Sequence, residues 1–133
     1  MWFWVFMAAN SIVIPILMAG FGKLFQKRPP AQINSIYGYR TKMSRLNMDT
    51  WNYAHRYFGK LWMRTGCLMI PGTMLCMALL YGRDADAVGT GCAVLMTVQV
   101  VLLILPVIAT ERELHRIFDL NGKRRQQTDL PLF

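Results

Sequence analysis

Apolar residues run almost unbroken from Met1 to Gly22, from about Leu61 to Tyr81 and from Ala87 to Thr110, and polar residues gather between and after those runs. A helix that crosses about 30 Å of hydrocarbon needs roughly 20 apolar residues, because lipid offers its backbone no hydrogen-bond partners. The pattern therefore predicts an all-α protein with three transmembrane helices, over about 1–22, 61–81 and 87–110. A cytoplasmic loop over 23–60 and a cytoplasmic tail over 111–133 complete one membrane domain spanning 1–133. Only Gly82 to Asp86 separates the last two apolar runs, which predicts an antiparallel hairpin. The charges Lys23, Lys27 and Arg28 follow the first run instead of preceding it, the reverse of a secretory leader, so that run is expected to stay as a helix.

The polar segments carry a second pattern. Asn47 is a good helix N-cap, and Asp49 falls in the first turn, where a negative charge opposes the helix dipole. From Met48 onward, Trp51, Ala54 or His55, Tyr57 or Phe58, and Leu61 recur at three-to-four spacing, which predicts an amphipathic helix lying at the inner interface and feeding the second span. Leu114, Ile117 and Phe118 repeat that pattern in the tail until Asn121-Gly122 ends it. Two interfacial helices with basic partners would grip anionic headgroups.

Charge fixes the orientation. The chain of 133 residues is 54% hydrophobic and 17% charged, with fifteen Lys and Arg against seven Asp and Glu, a net +8. A chain both apolar and basic points to anionic lipid as a partner and away from nucleic acid. Nine Lys and Arg lie between Lys23 and Arg64 and five follow Thr110, whereas the hairpin loop has Arg83 alone. Basic loops stay in the cytoplasm, which puts the N-terminus outside and the long loop and the tail inside.

Within the spans, Pro15, Pro71 and Pro106 each remove a backbone donor and free a carbonyl four residues earlier. Asn10, Pro71 and Gln99 fall near mid-depth, so Asn10 and Gln99 are expected to hydrogen-bond each other or the carbonyl of Cys67. No Asp, Glu, Lys or His lies deep in a span, which argues against a proton-coupled transporter or an ion channel. Arg64, near the inner end of the second span, has a stem long enough to snorkel. Ala87 with Gly91 and Gly89 with Ala93 place small residues four apart, a spacing that permits close helix approach and a homo-oligomer. Cys67, Cys76 and Cys92 contain no C-x-x-C pair and read as packing residues.

The loop reads Asn34-x-x-x-Gly38-Tyr39-Arg40-Thr41-x-x-Ser44-x-x-Asn47-x-x-x-Trp51-x-x-Ala54-His55-x-x-x-Gly59-Lys60. The tail reads Glu111-Arg112-Glu113-Leu114 through Phe118-Asp119-Leu120-Asn121-Gly122-Lys123. Together these resemble the signature of the SdpI family, small membrane proteins of bacteria, over most of the chain. The resemblance implies residence in the bacterial cytoplasmic (inner) membrane and immunity to a secreted antimicrobial peptide. For the namesake it also implies signalling, in which toxin engagement lets the membrane protein capture a transcriptional repressor.

Arg40 is the strongest candidate within the loop, because its planar guanidinium fork suits a carboxylate, a phosphate or backbone carbonyls as Lys does not. Its structural alternatives are an ion pair with Glu111 or Glu113, or a lipid phosphate. Trp51 reads as an interfacial anchor or a partner-binding aromatic, and Asn34, Thr41, Ser44 and Asn47 as local stitches to the backbone. His55 has no Cys and no second ligand beside it, and the only other histidine is His115, so no metal and no cofactor is expected. No catalytic motif is present, which points away from an enzyme. Two functions remain: immunity or resistance to a membrane-active peptide or envelope stress, and a non-catalytic lipid-binding scaffold that recruits a cytoplasmic regulator.

Overall fold

In the computed structural model, residues 1–126 are described and form three helices: α1 (Trp2–Lys27), α2 (Met48–Leu79) and α3 (Ala85–Ile117). The all-helical expectation holds, but its partition changes. The stretch from Met48 and the second apolar run are one continuous 32-residue helix, and the third run continues without a break to Ile117. The helical stretches expected from Met48 and after Thr110 form as the ends of α2 and α3. Their apolar faces are covered by protein: Trp51, Ala54, Leu114 and Phe118 are fully buried, so little apolar surface is left there to lie on a membrane. The tail helix also stops earlier than expected, at Phe118, and a tight turn through Gly122 follows it.

α1 and α3 are long and apolar enough to cross a bilayer, with mean hydropathies of 1.9 and 2.6 over their most apolar windows. α2 is not among these, because Arg64, Thr65, Gly66 and the run Pro71-Gly72-Thr73 dilute its apolar half.

α2 runs antiparallel to both neighbours. At one end the Trp4 indole N–H of α1 donates to the Met77 carbonyl of α2 at 3.0 Å, capping one of the orphan carbonyls at that helix's C-terminus. At the other end Gly22 of α1 meets Gly59 and Met63 of α2. The seam between these helices is backbone against backbone. A Cβ at Gly59 would lie 2.6 Å from the Gly22 carbonyl oxygen, and one at Gly66 would lie 2.6 Å from the Ala19 nitrogen. Glycines seven apart on α2 thus return to one face every two turns and let α1 approach closely. Of the small residues at the start of α3, Gly91 lies under the Leu80 side chain and Ala93 is exposed, while Cys92 between them packs with Val88 and Met77.

At mid-depth a single side chain ties the three helices. The Gln99 amide of α3 donates to the Ser11 carbonyl of α1 at 2.9 Å and to the Thr73 hydroxyl of α2 at 2.8 Å. Ser11 lies four residues before Pro15, so its carbonyl is the one that Pro15 leaves without a helical donor. The expected Asn10–Gln99 bond does not form. Asn10 faces outward and bonds back to Phe6, one turn earlier on its own helix.

Candidate functional site

The signature loop is a bracket over the start of α2. It opens with an Asx turn, in which Asn34 Oδ1 accepts from the Ile36 and Tyr37 amides at 3.0 and 2.8 Å. Gly38 follows with φ +103°, a conformation that a side chain disfavours, and a Cβ there would strike His55 Nε2. That turn aims the Tyr39 amide at His55 Nε2, 2.8 Å away. Because Nε2 accepts, the proton sits on Nδ1, which donates to the Trp51 carbonyl at 2.8 Å. The Trp51 indole in turn donates to the Pro30 carbonyl at 2.9 Å, closing the bracket from the other side. His55 is fully buried with both ring nitrogens occupied, and burial pushes its pKa below the usual histidine value against a smaller opposing effect of the Trp51 carbonyl.

The remaining polar residues of the loop hold its end. Ser44 and Thr41 exchange backbone-to-hydroxyl bonds at 2.9 and 3.2 Å, and the Ser44 hydroxyl also reaches the Tyr39 carbonyl. Asn47 and Thr50 form a reciprocal capping box, Thr50 taking the position more often held by Glu or Gln. The Asn47 side chain also donates to the Gly122 carbonyl at 2.7 Å, so the α2 cap holds the tail turn as well. Beside it Arg124 grips Asp49 through two bonds of 2.8 Å, with its guanidinium over the Phe118 and Tyr53 rings. Arg124 holds the Asp49 carboxyl below its ordinary pKa.

Glu111 does not pair with Arg40. It accepts from the Tyr39 hydroxyl at 2.7 Å, and burial followed by this bond raises the tyrosine pKa. Tyr39 reaches Glu111 because Phe58 and Phe25 hold its ring in the core at this end of the bundle. Arg40 instead points outward, with one guanidinium nitrogen donating to the Ser35 carbonyl, and forms no ion pair among the described residues. Lys60 is also exposed, whereas Gly59 belongs to the α1–α2 seam.

Arg40 stands at the mouth of a groove of about 470 Å³. Its walls are Phe21 and Phe25 of α1, Phe58 and Trp62 of α2 and Val107 of α3, and the segment from Ile36 to Thr41 forms its rim. Such a shape can hold an apolar group with an anion at one end.

Of the residues singled out in the sequence, Asn34, Gly38, Tyr39, Thr41, Ser44, Asn47, Trp51 and His55 are thus brought together as one scaffold, and Arg40 is the member it presents. Sequence reasoning missed Ser11 and Thr73 as the partners of Gln99, and it missed the Asp49–Arg124 clasp. The first had a signal, since the rule that a proline frees the carbonyl four residues earlier points from Pro15 to Ser11. The clasp had none, its two residues being 75 positions apart.

The sequence matches the profile of the SdpI/YfhL protein family over residues 31–110, from the signature loop to the end of the third apolar run. It is 37% identical over 94 residues to a protein of Bacillus subtilis (strain 168) named uncharacterized protein YfhL, covering 71% of this chain and 72% of that one. No solved structure matches it. With the profile covering more than half of the sequence and the loop residues matched in one block, the chain belongs to the SdpI/YfhL protein family.

Proposed function

We propose that this is a three-span protein of the bacterial inner membrane that confers immunity to a secreted membrane-active peptide, with Arg40 as the residue that meets a ligand. Family membership supports the class, and the fold of the loop carries the reading. Asn34, Tyr39, Thr41, Ser44 and Asn47 are occupied in holding the bracket, while the guanidinium of Arg40 bonds only to the Ser35 carbonyl and lines an apolar groove. A third crossing by α2 is supported by its position, because its bonds to α1 and α3 extend from the Gly59 seam to Met77, the same depth that the two apolar helices occupy. The basic loop and tail support a cytoplasmic position for this end.

Topology is tested by placing one cysteine at position 85 in a cysteine-free background and labelling intact cells with an impermeant maleimide. Labelling there, and none in the loop, is expected; the reverse pattern overturns the orientation. Function is tested by survival of a sensitive host expressing wild type, Arg40→Lys or Arg40→Ala at matched membrane levels, challenged with the secreted peptides of the producing species. Wild type should protect and both variants should fail, since Lys retains the charge but not the fork. Absence of protection by wild type refutes immunity, and equal protection by Arg40→Ala removes this residue from it.

A further inference from the structure

The groove beneath the loop changes character along its depth, and that change identifies a ligand. Phe21 and Val107 lie in the apolar stretches of α1 and α3, next to the points where charged residues begin at Lys23 and Glu111, and Trp62 of α2 lies between Lys60 and Arg64. The lower part of the groove therefore lies level with the ends of the acyl region. Its rim carries Arg40, with Lys42 two residues on, at the level of headgroups. Ile36, on the same rim, is 89% exposed, and Phe21, on the wall, is 40% exposed. An isoleucine so exposed at the edge of an aromatic groove is expensive in water and favourable against an acyl chain.

We propose that this groove seats one anionic phospholipid of the inner leaflet, its phosphodiester on the Arg40 guanidinium and one acyl chain along Phe21, Trp62 and Val107. The volume of about 470 Å³ falls within the range of small-molecule sites and suits part of one chain, not a second helix. Charge selects the headgroup. Arg40 has no carboxylate partner among the described residues, and a planar fork meets two phosphate oxygens at once. Nearby cations such as Lys42 add attraction to an anionic surface, which a zwitterionic lipid with no net charge does not return.

The inference rests on the Arg40 groove being the site used above, and it gives that site a ligand. It is tested on the purified full chain, so that lipid retention and protection of cells can fail independently. Native mass spectra would be recorded from micelles doped with dioleoyl phosphatidylglycerol, with dioleoyl phosphatidylcholine or with inorganic phosphate alone. One phosphatidylglycerol retained per chain is expected, reduced at least tenfold in Arg40→Ala and by a smaller factor in Arg40→Lys. Lys42→Ala, which removes a charge but no wall of the groove, should retain it. Val107→Trp, which fills the groove and leaves Arg40 in place, should lose it. Equal retention of the two lipids, or equal loss in Lys42→Ala and Arg40→Ala, overturns the site in favour of unspecific adhesion. Retention of inorganic phosphate with no lipid preference assigns Arg40 to a soluble anion and also overturns it.

Discussion

Replacing Gly59 by Ala and replacing Gly72 by Ala are the same chemical change on the same helix, yet the structure requires opposite outcomes. Removing a glycine from a helix interior is worth about 1 kcal/mol in intrinsic propensity. At Gly72 nothing lies within 4 Å of the added methyl, so this gain stands alone. At Gly59 the methyl would fall 2.6 Å from the Gly22 oxygen and 2.8 Å from the Gln26 nitrogen, both rigid backbone atoms. Ordinary contact begins at 3.4 Å, so α1 and α2 would have to part by about 0.8 Å. A gap of that size forfeits roughly a quarter to a half of each dispersion contact along the seam. Overpacking of this kind costs roughly 1–3 kcal/mol, which set against the propensity gain leaves Gly59→Ala up to about 2 kcal/mol less stable. In micelles, thermal melting followed by circular dichroism should show Gly59→Ala falling on the order of 5 °C below wild type and Gly72→Ala at or above it. Equal melting of the two variants would refute the backbone seam.

Two further predictions concern single polar side chains. Gln99→Leu should destabilise the wild-type chain by about 1–2 kcal/mol, because the Ser11 carbonyl is left unpaired. The cost should shrink markedly in a Pro15→Ala background, where residue 15 regains its own N–H for that carbonyl; thermal melts of the double-mutant cycle measure the coupling, and additive effects would contradict it. For His55, the pKa in the folded chain lies below its ordinary value of 6.5 because burial disfavours the charged ring. Its stabilising contribution is complete above about pH 6.5 and is lost as pH falls toward the folded pKa, since only the unfolded chain takes up the proton readily. Melting temperatures of wild type should therefore fall below pH 6.5 more steeply than those of His55→Gln. Parallel profiles would rule out the buried imidazole as the cause.

The bundle was legible where periodicity acts alone. The apolar runs locate all three helices, and Asn47 marks the start of α2 because a cap is written in local chemistry. The amphipathic pattern from Met48 to Leu61 was read correctly as one-sided, but sequence spacing does not say what covers that side. The loop itself does, through Trp51, His55 and Tyr39, so a face assigned to lipid is protein core. Arg40 was found for its chemistry and Glu111 was paired with it by charge. The structure gives Glu111 to a tyrosine hydroxyl, because Tyr39 is carried inward by the turn at Gly38 while Arg40, next in sequence, is carried out. Alternation at one bend thus decided between two neighbours, and no rule of composition distinguishes them.

The tail turn imposes an order on assembly. Asn47 and Asp49 at the start of α2 are held by Gly122 and Arg124, partners that the ribosome adds 75 residues later. During synthesis the first two helices can already meet along their glycines, yet the mouth of the bundle stays unlatched until the third helix and its last turn have emerged. A chain stopped short of Gly122 would carry every residue of the signature loop and still lack the fastening that closes it. The latched shape of the loop is therefore withheld from every intermediate that ends before Arg124.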